Sequence, residues 1–378
     1  MPSFRNRNCT RTVVVVLLLT AFLLLNAGNE LLNLPLLKNK GDKILQVVVP
    51  KVEGQNSCSC WPSCVVQYAA VMFHSDPHAF EATLGNLEPH LHASWAVRLF
   101  LPWNENHDIK EKSFSLQKEY ILASAVVAKL TSRCILVTVS KHDMSDLGSQ
   151  VAYDAISESG AGPLLANHFA LSRETYEAIP EEHILIFQQD AAFCSRNKRT
   201  LDSFMHHLYL GAPWKDRKVL SDRLGVDLEV VYGNGGLSVR SKTFILECID
   251  LPHYKKDYWD AREGKGLPED LFFSRCLFEH HEDAVDINEA KKFAAEESIE
   301  LPRYQFIAVH DPCRAFEREG AVGCSTEEKR NLTRMLIDSC PEARRVIARC
   351  VAECDFGKSS VSTEHEHLDV KPGFRAEI

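Results

Sequence analysis

Four short stretches hold the residue types that chemistry on a charged ligand needs. Gln188-Gln189-Asp190 follows the apolar run His183–Phe187 directly. An aspartate so placed can hold a divalent cation, which in turn can hold a diphosphate; the plainer reading is a loop or helix-cap aspartate. Gly233-Asn234-Gly235-Gly236 separates two apolar runs. Asn-Gly in that setting signals a hairpin turn, and glycines also let backbone approach a ligand closely. Pro268-Glu269-Asp270 opens a helical pattern. Its acids either complement the helix dipole or supply a general base that takes the proton of an acceptor hydroxyl. His310 ends the apolar run Gln305–Val309, where histidine is either a half-buried structural group or a metal ligand.

The elements that must position these residues alternate through the first half of the chain. Strands are expected at Ile44–Val49, Ala96–Leu101, Cys134–Val139 and His183–Phe187, with helices at His78–Leu91, Ser113–Leu130 and Ala166–Ile179. Such alternation argues for an α/β fold with a largely parallel sheet. In open sheets of this class ligands collect beyond the carboxyl ends of strands, where Asp190 falls. The second half reads as a hairpin, Leu228–Tyr232 to Leu237–Arg240, then a short helix Thr243–Ile249, the helix opened by Pro268 and a late strand Tyr304–Val309. Ser325 with Glu328 forms a capping box for a helix reaching toward Pro341.

Composition bounds the function. The 378 residues are 45% apolar and 25% charged, which excludes collagen, a coiled coil, a wholly disordered chain and a polytopic membrane protein. A net charge of -9 argues against nucleic acid as a partner. No Walker P-loop occurs, and Arg240 stands where a nucleophile elbow needs glycine. His281-Glu282 and His365-Glu366 lack the second zincin histidine. Gly233-x-Gly235 lacks the third glycine of a dinucleotide fingerprint.

The N-terminus places Arg5, Arg7 and Arg11 before an apolar run, Val13–Leu25, broken by Thr20. This pattern is a signal-anchor over 13–28, a signal peptide cut after Ala27 or, most plainly, a buried core helix. With the basic flank cytosolic, the anchor would give a type II single-pass topology. Of 13 cysteines, Cys9 precedes the span; Cys58, Cys60 and Cys64 cluster, as do Cys340, Cys350 and Cys354. Disulfides, buried thiols and a zinc site all remain open for them. Asn331-Leu332-Thr333 is a glycosylation sequon.

Read in order, LIFQQDAAFC at Leu185–Cys194, LGAPW at Leu210–Trp214, GNGGLSVR at Gly233–Arg240, PEDLFFS at Pro268–Ser274 and Val309-His310 resemble the uncharacterised DUF5672 family of glycosyltransferase-like proteins. The resemblance covers Glu181 to His310. It implies a GT-A-like fold, an open, mixed, mainly parallel sheet flanked by helices in a single catalytic domain. It also implies a type II anchor and a lumenal catalytic domain at the Golgi or ER membrane. The activity implied is transfer of a sugar from a nucleotide-diphosphate donor to a hydroxyl of a glycan or glycoprotein, with a divalent cation, Mn²⁺ or Mg²⁺. Gln188, Gln189 and Asp190 then stand at the Asp-x-Asp position of GT-A enzymes, with Asp190 the single charged ligand and His310 completing the metal site. Asn234, Gly235 and Gly236 would line the sugar side of the donor pocket. Asp270 would be the base, with Glu269 beside it. Lys51, after the first expected strand, would touch the nucleotide.

The corresponding division of the chain is a cytosolic tail 1–12, signal-anchor 13–28, stem 29–43, catalytic domain 44–320, C-terminal helical segment 321–356 and disordered tail 357–378. Fold does not fix function, so two other readings stand beside this one. One is a non-catalytic lumenal carbohydrate-binding protein on the same fold; the other is a secreted, disulfide-bearing interaction protein.

Overall fold

The computed structural model describes residues 65–74, 77–103, 109–144, 162–214, 233–252, 268–281, 286–296, 306–312 and 327–351. All of them belong to the compact unit Gln46–Ile378. The strands are β1 (Tyr68–Phe73), β2 (Trp95–Trp103), β3 (Leu136–Asp143), β4 (His183–Phe187), β5 (Ala191–Phe193), β6 (Tyr209–Gly211), β7 (Leu237–Ser241), β8 (Ala294–Ala295) and β9 (Ala308–His310). The helices are α1 (Pro77–Leu87), α2 (Ile109–Leu122), α3 (Ala125–Ser132), α4 (Gly162–Leu171), α5 (Arg173–Glu177), α6 (Lys242–Ile249), α7 (Glu269–His280), α8 (Ile287–Phe293), α9 (Glu327–Ser339) and α10 (Ala343–Val351).

Six strands form an open sheet in the order β3-β2-β1-β4-β7-β6. The first four run parallel, and β7 runs antiparallel to both β4 and β6. The expected α/β class with an open, mixed, mainly parallel sheet flanked by helices is therefore the observed one. Alternate residues along each strand feed two cores. Met72, Leu99, Val139, Phe187 and Val239 pack on one face, against Phe80 and Leu84 of α1 and Val127 of α3. Val71, Phe100, Ile186 and Tyr209 pack on the other, against α5, α6 and α7. Burial on both faces explains why His183–Phe187 reads as a nearly unbroken apolar run.

Two long helical patterns are each divided by a serine. Ser124 Oγ accepts the Val127 amide and starts α3; Ser172 Oγ accepts the Thr175 amide and starts α5. Serine competes with the helix backbone and so favours caps over helix interiors. The expected helices Ser113–Leu130 and Ala166–Ile179 are thus two each. The hairpin is also corrected. Both edges of Ser238–Arg240 are occupied, one by β4 and the other by β6, so no third strand can pair there. Residues 228–232 lie outside the described residues.

A second, three-stranded sheet has the order β5-β9-β8. Leu336, Cys340, Ala343, Val346 and Ile347, from α9, α10 and the turn between them, close a third core over Ala192, Phe306 and Val309. Disulfides join Cys194 to Cys340 and Cys248 to Cys276. Such bonds form and persist in oxidising surroundings. The first ties the α9–α10 turn to the end of β5, and the second ties α6 to α7.

The type II anchor is corrected, together with the membrane attachment and the Golgi or ER membrane placement that depended on it. No helix among the described residues is long and apolar enough to cross a membrane. The 13–28 span, the strand Ile44–Val49 and Lys51 lie outside the described residues.

Candidate active site

The four stretches converge. The chain leaves β4 through Gln188-Gln189-Asp190 and enters β5, whose Ala191 pairs with His310 of β9. That register sets Asp190 beside the end of β9, and the Asp311 amide donates to the Asp190 carbonyl at 3.1 Å. Asp311 turns the chain with φ 34°, in the left-handed region that aspartate tolerates better than most residues. His310 Nε2 lies 3.3 Å from Asp190 Oδ1 and 3.5 Å from Gln188 Oε1. On its other side, His310 Nδ1 lies 3.7 Å from Glu296 Oε1.

The glycine segment threads between these groups and α7. A methyl on Gly236 would fall 2.3 Å from His310 Nε2 and 2.4 Å from Gln188 Oε1. One on Gly235 would fall 1.9 Å from Glu269 Oε1. Only glycine permits so close an approach. Asn234 shapes the turn: its Oδ1 accepts the Gly236 amide at 2.6 Å, and its Nδ2 donates to Glu296 Oε1 at 3.0 Å.

Beneath the turn, Arg240 projects from β7 with no solvent exposure. Its guanidinium donates to Tyr176 Oη at 2.8 Å, the Gly235 carbonyl at 3.0 Å and Ser238 Oγ at 2.9 Å. It lies 3.5 Å from Glu269 Oε1 and over the rings of Tyr209 and Phe273, a cation–π arrangement. The Glu269 amide donates to Asn167 Oδ1 at 3.2 Å, which anchors the start of α7 to α4.

Burial drives the Asp270 pKa well above the usual carboxylate range, and the nearby charges of Glu269 and Glu296 push it the same way. Asp270 therefore holds its proton more tightly than an ordinary carboxylate, against the pull of the Leu271 amide, which donates to its Oδ1 at 2.8 Å. The His310 pKa also rises, but for a different reason. Burial alone would lower its pKa, but the carboxylates of Asp190 and Glu296 on either side raise it to about 10. Among the described residues of the cluster, the acids Asp190, Glu269, Asp270 and Glu296 stand beside the bases Arg240 and His310.

A divalent cation could be held here once it displaces the Nε2 proton of His310, since metal binding releases protons from its ligands. Asp190 Oδ1 and His310 Nε2 are 3.3 Å apart, close enough to share one ion. Mn²⁺ and Mg²⁺ characteristically bind few protein groups and complete their shells with water and substrate phosphate. No group of three His, Cys, Asp or Glu side chains that could hold a metal by itself occurs among the described residues.

Of the residues singled out from the sequence, Gln188, Asp190, Asn234, Gly235, Gly236, Glu269, Asp270 and His310 are brought together, while Gln189 shows no such contact. Two residues of the cluster escaped the sequence reading. Arg240 carried a signal, a charge inside the apolar strand Leu237–Ser241. Glu296 carried none, since it sits in a charged stretch that reads as solvated surface.

No match emerges among curated proteins. Several solved structures resemble the chain in part. Core-mannan synthase A from Aspergillus fumigatus, in its Mn/GDP form, is 8% identical, with TM-score 0.34, over 56% of this chain and 69% of that one. Mouse xyloside xylosyltransferase 1 is 13% identical, with TM-score 0.34, over 66% of this chain and 98% of that one. An active-site mutant of LgtC is 15% identical, with TM-score 0.37, over 74% of this chain and 99% of that one. At these identities and scores the likeness says nothing about substrate. The family model described as "Protein of unknown function (DUF5672)" matches residues 163–310, from the start of α4 to His310. That span contains every group of the cluster.

Proposed function

We propose that this chain is a glycosyltransferase, moving a sugar from a nucleotide-diphosphate donor to a hydroxyl of a glycan or glycoprotein. The observation that carries the reading is the convergence, on one glycine turn, of an Asp190–His310 pair suited to a cation and a buried acid pair on α7. The anion-rich cluster opens at the carboxyl end of β4, where open α/β sheets collect ligands. A Mn²⁺ or Mg²⁺ held by Asp190 and His310 would offset the charge that builds on the departing diphosphate. Gln188, Asn234, Gly235 and Gly236 would seat the donor, the glycines allowing its approach to backbone. Glu269, facing the Arg240 guanidinium, is the group we assign as base. It takes the acceptor hydroxyl's proton as that oxygen bonds to the anomeric carbon and the bond to the diphosphate breaks. Asp270, kept in its acid form, donates a hydrogen bond rather than accepting the proton. This reverses the roles expected from the sequence, because burial opposes a base at Asp270.

The test is release of free nucleotide diphosphate from a panel of UDP- and GDP-sugars with MnCl₂. At least one donor should turn over, and Asp190→Ala should abolish both turnover and Mn²⁺-dependent nucleotide binding. Binding of sugars without turnover of any donor would replace this reading with a carbohydrate-binding protein.

A further inference from the structure

Glu296 is the least expected member of the cluster. It follows β8 directly, and β8 pairs in parallel with β9 through Ala294–Ala308 and Ala295–Val309. Continuing that register sets Glu296 beside His310. The residue is 1% exposed. A buried carboxylate costs several kcal/mol in lost hydration unless charge or hydrogen bonds offset it. A glutamine could accept the Asn234 bond equally well, so that bond alone does not call for an acid. Among the described residues, the His310 ring lies beside it, with Nδ1 3.7 Å from Glu296 Oε1.

Two orientations follow from this one side chain. Toward β9, Glu296 faces His310 Nδ1 at 3.7 Å, which leaves Nε2 to face Asp190. At that distance the carboxylate acts on the ring by charge rather than by a hydrogen bond, and a carboxylate behind a ligating histidine strengthens it as a ligand. Toward the glycine turn, Glu296 accepts from Asn234 Nδ2 at 3.0 Å. An amide has one donor end and one acceptor end, so this bond turns Asn234 Oδ1 onto the Gly236 amide. We infer that Glu296 is a positioning residue which sets the cation-binding face of His310 and the donor-binding turn at Gly236 together. The inference rests on the donor-site reading above, yet its two halves can be measured separately.

Both measurements use the whole chain. MnCl₂ affinity is read by calorimetry without nucleotide, and exchange of the Gly236 amide with deuterium is read by NMR. Glu296→Gln keeps an acceptor for Asn234 but removes the charge. It should weaken Mn²⁺ binding by about 10–100-fold and leave Gly236 protected. Glu296→Ala removes both, so Mn²⁺ affinity should fall by a similar factor and Gly236 should exchange at least about tenfold faster, as expected when the Asn234 bond is lost. A merely structural glutamate would not separate the two variants in this way. Wild-type Mn²⁺ affinity in Glu296→Gln overturns the inference, and so does full Gly236 protection in Glu296→Ala. If the wild-type chain takes no Mn²⁺, the donor-site reading fails at its cation, and the Gly236 exchange alone decides the role of Glu296. If the alanine variant does not fold, the near-isosteric glutamine variant decides through Mn²⁺.

Discussion

Two arginines project from the same face of the same sheet, both nearly without solvent exposure, and they are satisfied in different ways. Arg98 on β2 is 4% exposed and meets one acid, Glu181, which accepts from both Nε and Nη2, while Nη1 donates to Thr138 Oγ1 at 3.3 Å. Charge there is matched one to one. Arg240 on β7 spends its hydrogen bonds on a phenol, a hydroxyl and a carbonyl, and reaches Glu269 only at 3.5 Å. Among the described residues, Glu269 and Asp270 lie near it, and Asp270 in turn lies near Glu296, so acids gather there without one-to-one partners. A matched buried pair is complete in itself and serves the scaffold. A surplus held in place by backbone contacts costs stability, and proteins keep such arrangements where a ligand completes them.

The sharpest way to break this contrast is at Glu269. Glu269→Gln should lower turnover by about 10²–10⁴-fold, the usual contribution of a general base, with little change in melting temperature. Asp270→Asn should stay within about a factor of ten of wild type, because burial already keeps that group uncharged. The opposite pattern in steady-state kinetics would return the base to Asp270. At the other arginine, Arg98→Met strands a buried carboxylate and should cost about 3–5 kcal/mol in urea unfolding. Turnover per folded molecule should not change. Replacing the pair together, Arg98→Met with Glu181→Leu, should recover most of that loss. A turnover defect in the double variant would mean that the matched pair is not scaffold alone. Gly236→Ala tests the contact between turn and cluster. Its methyl would overlap His310 and Gln188, so a loss of about 1–3 kcal/mol is expected from overpacking, together with weaker donor binding in calorimetry.

The sequence made the frame legible where local and tertiary preferences agree. β4 is found at the expected residues, and α7 starts where Pro268 and its two acids place it. The central strand β1, Tyr-Ala-Ala-Val-Met-Phe, was not foreseen. Its alanines and methionine favour helix, and only its seat between β2 and β4 makes it a strand. The site was legible as a set of stretches but not as a set of roles. Asp190, Gly236, Asp270 and His310 could be named because each adjoins a strand end, a turn or a helix start. The raised pKa of Asp270 comes first from burial and then from Glu269 and Glu296 lying near it, and Glu296 is brought there by a strand pairing between β8 and β9 that no local pattern announces.

The smallest effect lies one residue from Glu181 and isolates what burial adds. Glu182 is half-exposed and accepts from Ser241 Oγ at 2.6 Å, the Thr243 amide at 3.1 Å and Thr243 Oγ1 at 2.9 Å, at the start of α6. Burial alone would raise its pKa, but these hydrogen bonds to Ser241 and Thr243 hold it below the ordinary 4.5. A carboxylate with a depressed folded-state pKa stabilises the fold above its unfolded value and loses that contribution as pH falls through its folded value. Glu182→Gln should therefore cost only about 0.5 kcal/mol at pH 7, since solvent screens the charge. The difference from wild type should shrink below about pH 4.5 and vanish once Glu182 is protonated in the folded chain. Arg98→Met should keep most of its cost over the same range, because its loss includes three unmade hydrogen bonds and a packing defect as well as a charge. Paired urea titrations at pH 7 and pH 4 would read both. If Glu182→Gln proved as costly as Arg98→Met, exposure would not be what separates these neighbouring glutamates, and the contrast between matched and surplus charge would need another basis.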